Sequence, residues 1–297
     1  MSTSILVIGR DGQLARALAA LNTSNLNLVC LERPEFDLTA LDLIPATLRR
    51  IDPGGVINAA AYTAVDRAET EQAVAYALNR DGPAALAQAC AERSIPFVHV
   101  STDYVFDGEK PAPYVESDPK APQSVYGRSK SEGEDAVLAS GAHAAIIRTA
   151  WVYDAAGANF VRTMLRLAAD RDEIGVVADQ FGRPTWAADL AGACIAAMRA
   201  LMSDGQADRR AAQGVFHFSG AGDATWADLA EAVMIEHAKR GGKIAQIKRI
   251  STADYPTPAR RPKNSRLDCT KIEASLGVRP RPWREALSLC MDEIHAS

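Results

Sequence analysis

The sequence predicts an α/β fold: a doubly wound parallel sheet accompanied by a smaller C-terminal lobe. Three observations predict it. In the first half, short apolar runs alternate with helical stretches; those runs lack polar alternation; and a glycine-bearing turn links the first run to the first helix. Parallel strands covered on both faces read as continuous apolar runs. Strand–helix–strand repetition with short connections implies right-handed crossovers and a doubly wound sheet.

The expected strands are "SILVIG" (4–9), "LNLVCL" (26–31), "GGVINAA" (54–60), "PFVHVS" (96–101) and "AAIIRTA" (144–150), with helices over 12–22, 41–51, 70–93 and 126–140. After Arg148 the pattern changes. Helices near 159–169, 186–202, 225–240 and 284–295 alternate with loops rich in Pro, Gly and Arg, and "LDCTKIEASLGV" reads as one more. The stretch "YPTPARRPKNSR" (255–266) is too punctuated for a helix or a central strand, and is expected as a surface loop closing over a ligand. Residues 1–150 form the expected Rossmann-type dinucleotide-binding domain, with about 155–218 returning to it. Residues 219–297 form a lobe interleaved with parts of 175–190.

Composition narrows the function classes. A chain of 297 residues, 47% hydrophobic and 24% charged, suits a soluble globular protein with a substantial core. A net charge of -4 gives no general attraction to nucleic acid or to anionic membranes, so an anionic ligand needs a local group of cations. Cys30, Cys90, Cys194, Cys269 and Cys290 are odd in number, far apart, and lack zinc-ligand spacing. They read as reduced thiols of a cytosolic protein. The N-terminus enters a strand at once without the features of a secretion signal, and no apolar run approaches the ~20 residues of a membrane span. The protein is expected to be soluble and cytoplasmic.

"ILVIGRDGQLARAL" places Gly9, Gly12 and Ala15 in a G-x-x-G-x-x-A pattern between strand and helix. The first glycine permits the tight turn, the second lets backbone approach a pyrophosphate, and the helix N-terminus offers oriented N–H groups to that anion. Ala15 is still small enough for helix–strand packing. A simple turn has the same pattern; the flanking strand and helix favour the nucleotide. Glu32, twenty residues beyond Gly12, stands where an acid accepts from the adenosine ribose, which favours NAD. Arg33 beside it favours the 2′-phosphate of NADP, so cofactor choice stays open. Asp37 either caps the next helix or bounds the adenine pocket. Ala59, Ala60 and Ala61 suit a flat ligand against a strand end as well as tight helix–sheet contact; neither Asn58 nor Tyr62 is explained by packing alone.

"STDYVFDG" (101–108) ends a buried strand on hydroxyls and a carboxylate. Twenty-four residues after Thr102 comes "YGRSK", with Tyr126 and Lys130 one helical turn apart on a shared face. A phenol titrates near pH ~10. A nearby ammonium is expected to lower that value and make Tyr126 a usable acid, with Thr102 orienting a carbonyl. Y-x-x-x-K alone is weak; its combination with the nucleotide turn and the strand-end hydroxyl is persuasive.

These motifs, with "NAAAYTAVDRAE", "RTAWVY", "NFVRTMLRLA", "DQFGRPT", "TWADLAEAV" and "RPKNSRLD", resemble the extended short-chain dehydrogenase/reductase superfamily over essentially the whole chain. Within it they resemble the reductases that complete dTDP-L-rhamnose synthesis. The resemblance implies NADPH- or NADH-dependent reduction of the C4 ketone of dTDP-4-dehydro-6-deoxy-L-mannose. It makes Tyr126 the catalytic acid, Lys130 its partner and Thr102 the third member, with Lys130 also donating to the nicotinamide ribose. It places Gly12, Gln13 and Leu14 in the cofactor cradle, Glu32, Asp37 and Leu38 around adenosine, and Ala60, Ala61 and Tyr62 at the strand-end contact. Asp103 and Trp151 would meet the deoxysugar. Some members carry an acidic side chain near Ala17 that bridges a metal-linked dimer; alanine cannot bind Mg2+, and a monomer or weak homodimer is expected. The partner implied is a small-molecule dTDP-sugar, with no nucleic acid or membrane.

The remaining polar residues read two ways. Trp151 is expected to stack on a sugar face rather than serve only as packing. Arg260, Arg261, Lys263 and Arg266 form either a solvated loop or a pyrophosphate clamp, with Arg260 and Arg266 the expected substrate contacts. Asp179, Gln180, Pro184 and Thr185 are expected near the same cleft. His99 and His217 read as satisfied core histidines. Rival functions are a nucleotide-sugar dehydratase or epimerase and a non-catalytic regulatory subunit. Tyr104 after Asp103 supplies no second carboxylate for elimination, and the intact Thr102, Tyr126 and Lys130 set argues against the subunit.

Overall fold

The structure, a computed structural model, describes residues 4–21 and 27–296. In chain order the first half forms β1 (Ser4–Ile8), α1 (Gln13–Ala20), β2 (Asn27–Leu31), α2 (Ile44–Ile51), β3 (Gly55–Asn58), α3 (Val65–Ala68), α4 (Gln72–Tyr76), α5 (Gly82–Glu92), β4 (Phe97–Thr102), α6 (Val125–Ala139) and β5 (Ala144–Thr149). The second half adds β6 (Val152–Tyr153), α7 (Phe160–Asp170), β7 (Glu173–Val177), β8 (Phe181–Gly182), β9 (Thr185–Trp186), α8 (Ala187–Leu201) and α9 (Gln206–Ala211). These are followed by β10 (Gly214–His217), β11 (Ala224–Thr225), α10 (Trp226–Lys239), β12 (Gln246–Ile250), α11 (Thr270–Leu276) and α12 (Trp283–Ala296). The expected element ends at Asn22 and Leu26 lie outside the described residues.

The α/β class holds. Six strands form one parallel sheet in the order β10-β5-β4-β3-β1-β2. Side-chain alternation splits β1 between two cores: Ile5 and Val7 pack with α1 and α8, while Leu6 and Ile8 pack with α2 and α5. Leu6, Val7, Val56, Ile57, Phe97 and Val98 are fully buried. Each such side chain stabilises the sheet by about 1.5–3 kcal/mol. Because β1 lies between β2 and β3, the chain reverses direction across the sheet there. A crevice at the strands' carboxyl ends follows from that reversal.

The single helix expected over 70–93 is interrupted by a π turn, Ala77–Asp81, between α4 and α5. The extra residue turns Asn79 inward, where its side chain accepts from Tyr62 N (2.8 Å) and donates to Tyr62 O (3.1 Å) and Ser129 Oγ (3.0 Å). π turns of this kind recur at functional sites. Helix α6, capped by the Ser124 hydroxyl accepting from Gly127 N at 3.1 Å, lies against this turn. A methyl at Gly133 would stand 2.0 Å from Asn79 O, and one at Gly127 would stand 2.3 Å from Tyr104 O. The helix is also pinned to β5: Arg148 donates to both oxygens of Glu134 at 2.8 and 2.7 Å, with both side chains buried.

A separate core joins α7, β7, α10 and α12 around Tyr153, Trp186 and Trp283. Thus α7 and β7, placed with the sheet domain in the sequence reading of 155–218, pack in the second lobe; α8 and β10 do belong to the sheet. Strand β7 pairs with β12, a polar "QIKRI" whose mostly exposed residues give no continuous apolar signal.

Gly133→Ala is expected to destabilise the fold by about 1–3 kcal/mol, since the added methyl meets backbone rather than a movable side chain. Arg148→Met leaves the buried Glu134 with only Lys120, 3.7 Å away, and is expected to cost about 3 kcal/mol. Chemical denaturation of each variant checks both values.

Candidate active site

A cavity of about 870 Å³ opens at the carboxyl ends of β1, β3, β4 and β5, within the size range of small-molecule pockets. At its dinucleotide end Gly9 has φ 114°, a conformation open to glycine at little cost. Gly12 begins α1 with no side chain capping the helix, and an added methyl there would meet nothing within 4 Å. Gln13 and Leu14 also line the wall, and Gln13 Oε1 is buried without a partner. Ala15 is buried against β1, as the spacing required. An uncapped helix N-terminus and open space above Gly12 fit a pyrophosphate-bearing cofactor.

Glu32 and Arg33 both line the cavity, and Asp11 N donates to Glu32 Oε2 at 3.4 Å. Asp37 lines it too, with its carboxylate accepting from Thr39 Oγ1 (2.7 Å) and Thr39 N (2.9 Å), which hold its pKa down. Leu38, Ala60 and Ala61 complete this end. Tyr62 does not line it: its hydroxyl donates to Glu71 at 2.6 Å.

At the reacting end, β4 delivers Thr102 and Asp103 while α6 delivers Tyr126 and Lys130 to the same wall. Thr102 Oγ1 accepts from Tyr104 N (3.2 Å) and donates to Asp103 Oδ1 (3.1 Å). The Tyr104 ring meets Tyr126 edge-on, with centroids 5.3 Å apart. The expected lowering of the Tyr126 pKa by Lys130 is corrected here. Burial pushes the phenol up, with the Thr102 hydroxyl working weakly the other way. Lys130 Nζ donates to Val100 O at 2.7 Å and sits 3.2 Å from His99 Nε2. Burial lowers the pKa of Lys130 to about 8. Desolvation outweighs the pull of Glu134 on Lys130 and the Thr102 hydrogen bond on Tyr126.

Asp103 is buried; its Oδ2, Ser101 Oγ and Thr149 Oγ1 on the same wall lack partners. Burial raises the Asp103 pKa from 3.8 to about 6, partly offset by hydrogen bonds from Ser265 and Thr102.

The basic loop is also corrected. Arg260 and Lys263 pair with Glu109, Arg261 with Asp66 and Arg266 with Asp223, and none of the four lines the cavity. Carboxylates in reach of every cation satisfy them locally. Arg261 does reach Tyr104 OH at 3.2 Å, so the loop touches the reacting end from behind. Asp179 and Gln180 bond Thr252 instead, and Pro184 and Thr185 likewise lie off the cavity wall.

Trp151 does line the cavity, at φ 51°, an unfavourable backbone conformation for so large a residue. One ring face stacks on Trp226 with centroids 3.6 Å apart and planes 12° off parallel. A methyl at Gly182 would stand 2.3 Å from Cε2 and 2.6 and 2.7 Å from its neighbours Cζ2 and Cδ2, the pattern of an atom directly above the ring. Trp226 at that spacing leaves no room on the same side, so both faces are covered and the ring offers an edge rather than a stacking face.

Both core histidines are satisfied. His217 Nδ1 lies 3.0 Å from Tyr114 O, and His99 bonds Asn58 and Lys130. That second contact went unread in the sequence, although Asn58 had already stood out as unexplained by packing. Trp226 was missed because it begins a helix that reads as ordinary lobe packing. Ala17 is buried in the sheet core. Among the described residues no group of three or more His, Cys, Asp or Glu is arranged to hold a metal.

The parallel sheet, its glycine turn, and the Thr102, Tyr126 and Lys130 grouping at its strand ends define an extended short-chain dehydrogenase/reductase. The model of the family described as RmlD substrate binding domain matches residues 3–296, and the chain belongs to this family. A dTDP-4-dehydrorhamnose reductase of Sinorhizobium fredii is 47% identical over 282 residues, covering 95% of this chain and 94% of that protein. The crystal structure of a dTDP-4-dehydrorhamnose reductase from Clostridium acetobutylicum matches with a TM-score of 0.89 at 36% identity, covering 97% and 98% of the two chains. One from Bacillus anthracis in complex with NADP matches at 0.88 and 32% identity, covering 99% and 100%.

Because the folded-state pKa of Asp103 is raised, the fold binds its proton more tightly than the unfolded chain does. Its contribution is fully present below about pH 4 and is lost as pH rises through about 6. Asp103→Asn is therefore expected to be more stable than the parent at neutral pH, by up to about 3 kcal/mol. Melting curves across that range should show the difference closing in acid.

Proposed function

We propose that the chain reduces the C4 ketone of dTDP-4-dehydro-6-deoxy-L-mannose to the C4 hydroxyl of dTDP-L-rhamnose, using NADPH or NADH. The single observation that carries this reading is the convergence of Thr102, Tyr126 and Lys130 on one wall of a cavity whose other end is an uncapped helix N-terminus. Family membership and the names of the relatives support the substrate class.

When bound, the reduced nicotinamide supplies the hydride. The protein supplies the proton and the geometry. Tyr126, kept neutral by burial, gives its phenolic proton to the oxygen that becomes the C4 hydroxyl. Transfer is drawn by the negative charge developing on that oxygen, which makes it a stronger base than the ketone. The Thr102 hydroxyl, next to the phenol, turns from Asp103 to the same oxygen. Asp103 and the edge of Trp151 bound the sugar. Gly12, Gln13 and Leu14 hold the pyrophosphate, and Glu32 and Arg33 face the adenosine ribose with opposite charges, which suits acceptance of either cofactor. The protein works in the cytoplasm as a monomer or weak homodimer, the sheet domain holding the cofactor and the second lobe contributing the sugar-nucleotide contacts.

Tyr126→Phe is expected to lower kcat by about 10²–10⁴-fold while leaving cofactor affinity unchanged. The check is loss of reduced-nicotinamide absorbance with the L-configured 4-keto sugar nucleotide, paired with a cofactor titration. Near-parental turnover in that variant would remove Tyr126 from the role.

A further inference from the structure

Tyr104 touches both hydroxyl-bearing residues of the reacting end. Its N–H donates to Thr102 Oγ1 at 3.2 Å, and its ring meets the Tyr126 ring edge-on, with centroids 5.3 Å apart and planes 74° from parallel. Its carbonyl lies against Gly127, the residue after Tyr126 on α6. The backbone of Tyr104 is thus set by the end of β4 and by α6. The ring needs more. It is half-buried, lines the cavity, and stands on a short turn, Asp103–Val105. A cavity on one side leaves such a ring room to change rotamer unless its far end is held.

What holds it comes from the basic loop. Arg261 Nη1 donates to Tyr104 OH at 3.2 Å, and Nη2 of the same guanidinium pairs with Asp66 Oδ2 at 2.5 Å. The other oxygen of that carboxylate accepts from Ala259 N at 3.1 Å, so Asp66, on α3, fixes the loop backbone and the guanidinium together. A planar guanidinium held in this way has little freedom left. The loop is held again beyond Arg261: a methyl at Gly108 would stand 2.6 Å from Pro262 Cα, and Asn264 N donates to Gly108 O at 2.9 Å. Arg260 and Lys263, on the same loop, turn to Glu109 instead.

We propose that Arg261 is a positioning residue of the reacting end: from outside the cavity it holds the Tyr104 ring, and through that ring it fixes the plane in which Tyr126 presents its phenol beside Thr102. The placement is a property of the fold; its value in turnover rests on the function proposed above. Edge-on aromatic pairs have a preferred orientation, so a ring held at its far end constrains the ring it meets. Rates are sensitive to displacement of a reacting group by about 1 Å. A cation off the cavity wall is therefore felt in kcat and not in binding.

The test is a double-mutant cycle on the full chain. Arg261→Met and Tyr104→Phe each remove the contact, the second while keeping the ring. Each is expected to lower kcat by about tenfold to a hundredfold, with the sugar-nucleotide KM and the cofactor Kd within about twofold of the parent. The double variant should be no slower than the slower single variant, because both changes break one contact. Lys263→Met should match the parent. Unchanged kcat in Arg261→Met, additive losses in the double variant, or a change confined to the sugar-nucleotide KM each overturns the proposal.

A second readout needs no turnover and separates this inference from the proposed reaction. In the cofactor-free chain carrying ring-13C tyrosine, with Tyr126 assigned by Tyr126→Phe, the Tyr126 signals should shift in Arg261→Met and stay in place in Lys263→Met. Signals that stay in place in Arg261→Met overturn the proposal. A parent that does not reduce the sugar nucleotide removes the reaction, and the ring signals then decide the placement. If Arg261→Met does not fold, Arg261→Lys takes its place in both readouts: one ammonium keeps a cation beside Asp66 but lacks the fork that also reaches Tyr104.

Discussion

Everything at the reacting end depends on how closely α6 lies against two neighbouring stretches of backbone. Gly127 lies against Tyr104 O and Gly133 against Asn79 O, with no room for a methyl at either. Beside the first contact and between the two, the helix presents Tyr126 and Lys130 at a depth and rotation that a larger residue would change. The π turn is the other half of the fit, since it supplies the inward Asn79 that the second glycine meets. Core packing is sensitive to single methylenes, and here that sensitivity acts on the placement of a phenol and an amine.

Charge is handled by the same helix. Its inner face carries Lys130 and Glu134, both buried, and the two are treated differently. Arg148 meets Glu134 with two parallel hydrogen bonds, a geometry that offsets much of the desolvation cost. Lys130 has no such partner; it has a carbonyl and an imidazole. One ion pair anchors the helix, and the lysine beside it faces the cavity.

Much of this was legible in the sequence. The five expected strands of the first half, the order of the helices and the residues of the nucleotide turn follow from apolar runs and glycine spacing, which are local signals. So does the Tyr126 and Lys130 pairing. What the sequence hid is long-range. The pairing of "QIKRI" with β7 leaves no apolar run to read, because those residues are mostly exposed. The fate of Arg260 and Arg266 depended on Glu109 and Asp223, more than forty residues away in the chain, so a run of cations looked free when each had a carboxylate waiting. The direction of the Tyr126 shift depended on burial, which spacing does not report. His99 was rightly read as satisfied; only the fold reveals by whom.

The second lobe has a hydrophobic core separate from those of the sheet, and Trp151 packs against it and against the small cluster around Phe106. Substitutions far apart and without shared partners add nearly independently. Changes within the core of α7, α10 and α12 are therefore felt largely apart from changes behind the strand ends. Of these three helices only α10 reaches the cavity, through Trp226, so that one ring is where a rearrangement of the second core is transmitted to the pocket.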